Sequence, residues 1–191
     1  MAAVAYTVAA NSTQFNFQDI FSKISKVYYN EGVLESTQLA QPVEWEMEMP
    51  ILSDVTFNLG EVETQEVKLA DGSIWTSKIT KGDSDVSIRI PSVSERISSL
   101  FMTTGTSYSD GFTFAGGTYS GKGYKNDAKK TIGSLMFTDD AGSVCIIFPN
   151  MEMSGALTGG DGDNPAYFNV KITPKANQAG DALLIMKKQS V

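Results

Sequence analysis

The chain has 191 residues, 41% of them apolar, which is enough for one packed domain and too apolar for a disordered tail. Its 15 basic and 22 acidic side chains leave a formal charge of −7. That balance argues against a protein that grips DNA or RNA by its phosphates, though not against a surface that holds a polyanion off by repulsion. Histidine is absent, which removes the commonest general base, the Ser-His and Cys-His nucleophile pairs and every His-based metal site. No enzymatic activity, cofactor or metal is expected.

No apolar run reaches the roughly 18 residues a spanning helix needs. Residues 1–10 carry no basic side chain, the first being Lys23, and Asn11-Ser12-Thr13 interrupts the mildly apolar start. A secretory leader is not expected, and folding in a cytoplasm is.

In chain order, Phe17, Ile20, Phe21, Ile24, Val27 and Tyr28 keep helical spacing behind Asn16, although Phe15 and Phe17 also alternate as a strand would. Residues 43–49 alternate without a slip, with Trp45, Met47 and Met49 on one face and Glu44, Glu46 and Glu48 on the other. After Pro50, the residues Val55, Phe57 and Leu59 repeat the pattern. Residues 60–70 read as an acidic loop carrying Glu61, Glu63 and Glu66. Strands follow at 73–78 and 85–90, the second with Val86, Ile88 and Ile90 on one face.

Pro91 then stops the strand, and Ser92-Val93-Ser94-Glu95 fits a capping box with Ser92 as N-cap. Val93, Ile97, Leu100 and Phe101 make one apolar stripe, and Gly105 ends a helix of about 92–104. Further strands are expected at 111–115, 132–138, 143–149, 166–173 and 182–187. Asp71-Gly72 and Ala141-Gly142 are hairpin turns. The number of short strands predicts a mainly β fold, a β-sandwich or half-open β-barrel flanked by the one α-helix.

Four motifs carry possible chemistry. Residues 116–123 match seven positions of a phosphate-binding loop, but the eighth is Gly123 and no helix pattern follows, so a flexible glycine-rich loop explains them better. The stretch Gly159-Gly160-Asp161-Gly162-Asp163-Asn164-Pro165 reads as a polar hairpin tip or a calcium seat, and Gly82-Asp83-Ser84-Asp85 has the same two readings. The carboxylates are numerous enough for glycoside hydrolysis, but nothing holds two of them at a cleft. Cys145, the one cysteine, lies in an apolar strand and reads as a core thiol.

Charge is uneven along the chain. Residues 1–95 hold 14 acidic and 6 basic side chains, net −8, and the remainder is net +1. Seven carboxylates fall between Pro42 and Val67 with no Lys or Arg among them. They form either a solvated sheet face or an acidic wall or docking surface for a basic partner. Lys122, Lys125, Lys129 and Lys130 form the one basic cluster, which is either a solvated loop or the complement of an acidic face on a neighbouring copy.

The order Val55-Thr56-Phe57-Asn58-Leu59-Gly60, acidic loop, Asp71-Gly72-Ser73-Ile74-Trp75-Thr76, Asp85-Val86-Ser87-Ile88-Arg89-Ile90-Pro91, then a capped helix, resembles bacteriophage major tail (tail-tube) proteins. The closing Val170-Lys171-Ile172-Thr173-Pro174-Lys175-Ala176-Asn177 is similar to the end of such a protein. The resemblance implies a single tail-tube-like domain: an N-terminal arm (1–15), a β core with its helix (16–175) and a C-terminal arm (176–191). It also implies a structural virion protein that self-assembles into stacked, hexameric rings.

DNA would then be non-sticking cargo in the lumen. The partners would be further copies and the tape measure, terminator and distal tail proteins. The location would be the virion tail, assembled in the bacterial host cytoplasm. Under this resemblance Glu44, Glu46 and Glu48 line the lumen or the ring interface, and residues 60–70 contact another subunit. The lumen strands would come from 43–59 or 73–90. The rival reading is a capsid decoration protein or another phage or surface binding module.

Overall fold

Strict alternation of apolar residues gives strands with one buried face, and this chain follows the rule wherever a strand meets the core. In the computed structural model, which describes residues 21–188 except Ser22, 40–42, Asp54 and 161–164, Val86, Ile88 and Ile90 are completely buried while Arg89 is exposed. The elements are β1 (Lys26–Glu31), α1 (Ser36–Leu39), β2 (Met47–Met49), β3 (Thr56–Asn58), β4 (Val62–Lys68), β5 (Ile74–Lys81), β6 (Asp85–Ile90), α2 (Glu95–Phe101), β7 (Thr103–Phe114), β8 (Gly117–Lys125), β9 (Thr131–Thr138), β10 (Val144–Thr158), β11 (Tyr167–Lys175) and β12 (Leu184–Lys187).

Eight strands form one sheet in the order β2-β1-β9-β10-β11-β6-β3, with β12 also paired to β10, and every pairing is antiparallel. The sheet folds back on itself. Phe57 on β3, at one end of the order, stacks on Phe148 of β10 and meets Phe137 of β9 edge-on, with both centroid distances 5.6 Å. The result is the mainly β fold that the number of short strands predicts, with two helices, α1 and α2, where one was expected. Phe101, Phe137, Phe148 and Phe168 are completely buried in it, and each such side chain contributes about 1.5–3 kcal/mol. Two further sheets of two strands each, β4-β5 and β7-β8, stand apart from this core.

Several sequence expectations are corrected. Residues 26–28 lie in strand β1 and not in a helix, because Val27 and Tyr29 both point into the core. The part of that expected helix before Phe21 falls outside the described residues, as does the arm 1–15. The strand expected over 43–49 shrinks to Met47–Met49. The amide of Glu31 donates to the Glu46 carboxylate at 3.3 Å, so the β1–β2 pairing ends at Tyr29–Met47.

The helix spans Glu95–Phe101, and its N-cap is Ser94, whose hydroxyl accepts from the Ile97 amide at 3.4 Å. Ser92 stands two residues too early, and Val93 is exposed, outside the apolar stripe. Gly105 does not end the helix, since β7 has already begun. A Cβ there would lie 3.2 Å from the Gly123 carbonyl oxygen, so this glycine permits close approach of two strands.

Cys145 is half-buried, and burial, then Asp139, pushes its thiol pKa upward. The expected C-terminal arm turns back on its own copy. Asn177 Oδ1 accepts from the Asp181 amide at 2.9 Å, and Asn177 Nδ2 donates to the Leu34 carbonyl at 3.3 Å. This brings 184–187 alongside β10 as β12. No helix among the described residues is long and apolar enough to cross a membrane.

Candidate functional site

Residues 60–70, read from sequence as an acidic loop, include a strand. β4 pairs with β5 through seven registered positions, and the tip is the expected Asp71-Gly72 turn. Gly72 has φ +84°, and Asp71 Oδ1 accepts from both the Ser73 hydroxyl at 2.6 Å and the Ser73 amide at 2.9 Å. Those bonds hold the Asp71 carboxyl below its ordinary pKa. At the base, Gly60 has φ +90°, and a Cβ on it would overlap the Gly82 carbonyl oxygen, so the two strands leave the core through a gap only glycine passes.

Every residue of β4 is exposed. Pairing places Val62 and Ile79 on one face together with Lys81, and Gln65, Lys78, Thr80 and Val67 on the other; a bulge leaves Trp75 unpaired between Ile74 and Thr76, at the alternation of Ile79. The carboxylates of this stretch do not act as one patch. Glu63 lies on the polar face, Glu66 on the face of Val62, where it pairs with Lys68 at 3.7 Å, and Glu61 lies at the base.

The second hairpin follows from a different local device. Ala115 and Gly116 both have positive φ, 47° and 81°, and form the two-residue loop between Phe114 and Gly117 that suits a twisted hairpin. The glycine-rich stretch expected to be a flexible loop is strand β8. On one face of the pair lie Tyr108, Phe112, Phe114 and Tyr119, together with Gly117, Gly121 and Gly123. Phe112 and Tyr119 stack across the strands with centroids 5.5 Å apart. All four aromatic side chains, and Val62, Trp75 and Ile79 on the first hairpin, are between 50% and 70% exposed.

Those seven side chains are what sequence reading misses. Alternation marks Trp75 only as a strand residue. The regular Gly117-Thr118-Tyr119-Ser120-Gly121-Lys122-Gly123 alternation could have identified β8. No local signal tells whether such a strand faces a core or solvent.

The basic cluster is dispersed around α2. Lys122 Nζ donates to the Glu95 carboxylate, which holds the lysine's pKa above its ordinary value, and Tyr124 Oη donates to the Glu95 carbonyl at 3.3 Å. Glu95 therefore ties the root of β8 to the helix and does not reach back to Ser92. Lys129 Nζ donates to the Ser99 carbonyl and Thr131 Oγ1 to the Leu100 carbonyl, satisfying acceptors that a helix end leaves open. Lys130 pairs with Glu152 at 2.9 Å, and Lys125 is exposed on the aromatic face of β8.

The acidic stripe is likewise divided. Glu46 meets Arg96 at 3.5 Å and Glu48 meets Lys26 at 3.7 Å, whereas Glu44 is exposed ahead of β2. The alternation itself holds, since Met49 is buried, Trp45 and Met47 are half-buried and all three glutamates are exposed. Among the described residues no group of three or more Cys, Asp or Glu side chains is arranged to hold a metal ion. Asp161 and Asp163 of the possible calcium loop lie outside the described residues.

No protein-family model and no curated protein matches this chain. Among solved structures, the cap that terminates the tube of the anti-feeding prophage, determined by cryo-electron microscopy, is similar at 12% identity and a TM-score of 0.37 over 98% of this chain and 100% of that one. That score is too low for the likeness to define this chain's fold or role.

Proposed function

We propose that this chain is a structural virion protein, a subunit that self-assembles into stacked rings, hexameric in number, to form a phage tail tube or a related injection tube. It acts by assembly and not by catalysis. The observation that carries the reading is the pair of long hairpins standing free of the core, one with an exposed aromatic face and the other with Val62, Trp75 and Ile79 exposed beside the Glu66–Lys68 pair. A lone two-stranded hairpin is only marginally stable in water, and apolar faces of this kind mark contacts with other chains. Free strand edges on both hairpins are a hazard to a monomer and a resource to a closed ring.

The order of β3, β5, β6 and α2 along the chain is the order on which the resemblance to major tail proteins rests. A net charge of −7 suits a channel through which DNA slides as non-sticking cargo, because a negative wall repels phosphates. Glu44 is exposed ahead of β2, whereas Glu46 and Glu48 are engaged by Arg96 and Lys26, so Glu44 is the member of the acidic stripe best suited to such a wall. In this reading the tape measure, terminator and distal tail proteins are the other partners. The protein resides in the virion tail after assembly in the host cytoplasm.

Negative-stain electron microscopy of the purified protein at rising concentration, with light scattering alongside, tests the proposal. Rings or tubes are the expected result. A monomer at every concentration overturns it, and a lone trimer favours a capsid decoration protein instead.

A further inference from the structure

The aromatic face of β7–β8 is not flat. Tyr119 leans toward the tip, so that a Cβ on Gly117 would lie 3.3 Å from its ring, and Tyr108 leans toward the root, 3.4 Å from a Cβ on Gly123. Between them, Gly121 has open space, with no heavy atom within 4 Å of where its Cβ would be. Gly121 is the registered partner of Tyr108, so the opening lies in the middle of the hairpin and is bounded by two rings. The face of β4–β5 has the opposite relief, with Val62, Trp75 and Ile79 protruding among Glu66, Lys68 and Lys81 and no glycine within either strand.

We propose that the notch over Gly121 is a socket that receives Trp75 of a second copy, hairpin face against hairpin face, with Ile79, about 13 Å further along β5, packing outside the notch on the same face. The inference rests on the self-assembly reading and specifies its contact. A knob and a socket on different hairpins that pair head to tail leave one free knob and one free socket after each addition and close in a ring or continue as a filament, whereas reciprocal pairing would stop at a two-fold dimer, which microscopy distinguishes. A symmetric pairing of two aromatic faces would leave the β4–β5 face uncovered.

The area suffices. Five aromatic side chains at their observed exposure carry roughly 500–800 Å². With Val62, Ile79 and the threonines around them, this approaches the lower bound of about 1,200 Å² for a specific interface. No backbone movement within either hairpin is required, because both faces are already formed.

The test uses the full chain with Cys145→Ser as background. Ile79→Cys and Phe112→Cys are made in separate preparations, mixed, and treated with a short bis-maleimide, so that only contacts between copies can be trapped. Cross-linked dimers in the mixture and none in either preparation alone are expected. Dimers from Phe112→Cys alone would mean a symmetric contact and overturn the proposal. Rings or tubes by microscopy without mixed cross-links would overturn it while leaving the assembly reading intact, and a protein monomeric throughout would remove both.

A second variant guards against misfolding. Gly121→Val adds a β-favouring side chain into open space, so the monomer's melting temperature should be unchanged or higher. The assembled fraction should fall by about tenfold or more. Undiminished assembly in that variant would overturn the socket.

Discussion

The ring of Phe57 lies nearly parallel to that of Phe148, 11° between planes and 5.6 Å between centroids, although β6 and β11 separate their strands in the sheet. One half-buried side chain on a three-residue strand thus closes the sheet over its own core. Phe57→Ala should cost about 2–3 kcal/mol, somewhat less than a fully buried phenylalanine, read as a lower urea midpoint at constant slope. Phe112→Ala, stripping a 67% exposed ring that stacks on Tyr119 of the other hairpin strand, should stay within about 0.5 kcal/mol in the monomer.

Gly155 is the floor on which α2 rests. A Cβ there would lie 2.8 Å from Phe101 Cγ, and Phe101 in turn packs against Phe168 at 5.2 Å. Gly155→Ala should therefore push the helix off the sheet at a cost of about 1–3 kcal/mol. Faster amide exchange over 95–101, with β9 and β11 unaffected, would separate this from general destabilisation.

Tyr29 is buried, and its hydroxyl pKa is pushed up to about 12, by burial first and then by Glu31 and Glu46, with Arg96 opposing. A group raised above its ordinary value of 10 contributes stability below pH 10 and loses it as pH climbs toward 12. Across that window the wild-type protein should lose about 2–3 kcal/mol more than Tyr29→Phe does. Denaturant melts at stepped alkaline pH will check this.

Glu152 lies between Lys130 at 2.9 Å and Lys175 at 3.0 Å, and those two lysines, Lys130 first, hold its carboxyl below the ordinary value. A lowered carboxyl contributes stability above its unfolded pKa and loses it as pH falls through the folded one. Glu152→Gln should be less stable than wild type at neutral pH and should show a flatter acid limb below about pH 5 in thermal melts.

Charge reversal along 44–48 should divide by partner. Glu46→Lys sets a like charge against Arg96 and should cost under about 1 kcal/mol, since both groups are partly exposed. Glu44→Lys, at an exposed position ahead of the strand, should leave the melting temperature unchanged. Loss of tubes in Glu44→Lys alone would then reflect the assembled surface and not the fold of the subunit.

How much of the molecule is legible in the sequence depends on range. The alternation of β6 and β9, the turns at Gly72 and Gly142, and the existence of one capped helix follow from period and from positive φ, which are properties of a few consecutive residues. Helix limits do not follow. Ser92 and Ser94 offer the same hydroxyl, and the cap is the residue whose hydroxyl meets the Ile97 amide. Gly105 reads as a stop because glycine serves a helix end and a close strand crossing equally well.

By itself the amino-acid sequence determined a mainly β chain with an acidic first half and no histidine, because those are matters of composition and of two-residue period. Only the tertiary structure decided that Lys122, Lys129 and Lys130 serve Glu95, the Ser99 carbonyl and Glu152. Only it decided that Trp75 and Phe112 are left in solvent while Phe57 and Phe101 are covered. Burial is a relation between strands distant along the chain, and an alternating strand carries no mark of whether anything lies opposite its apolar side.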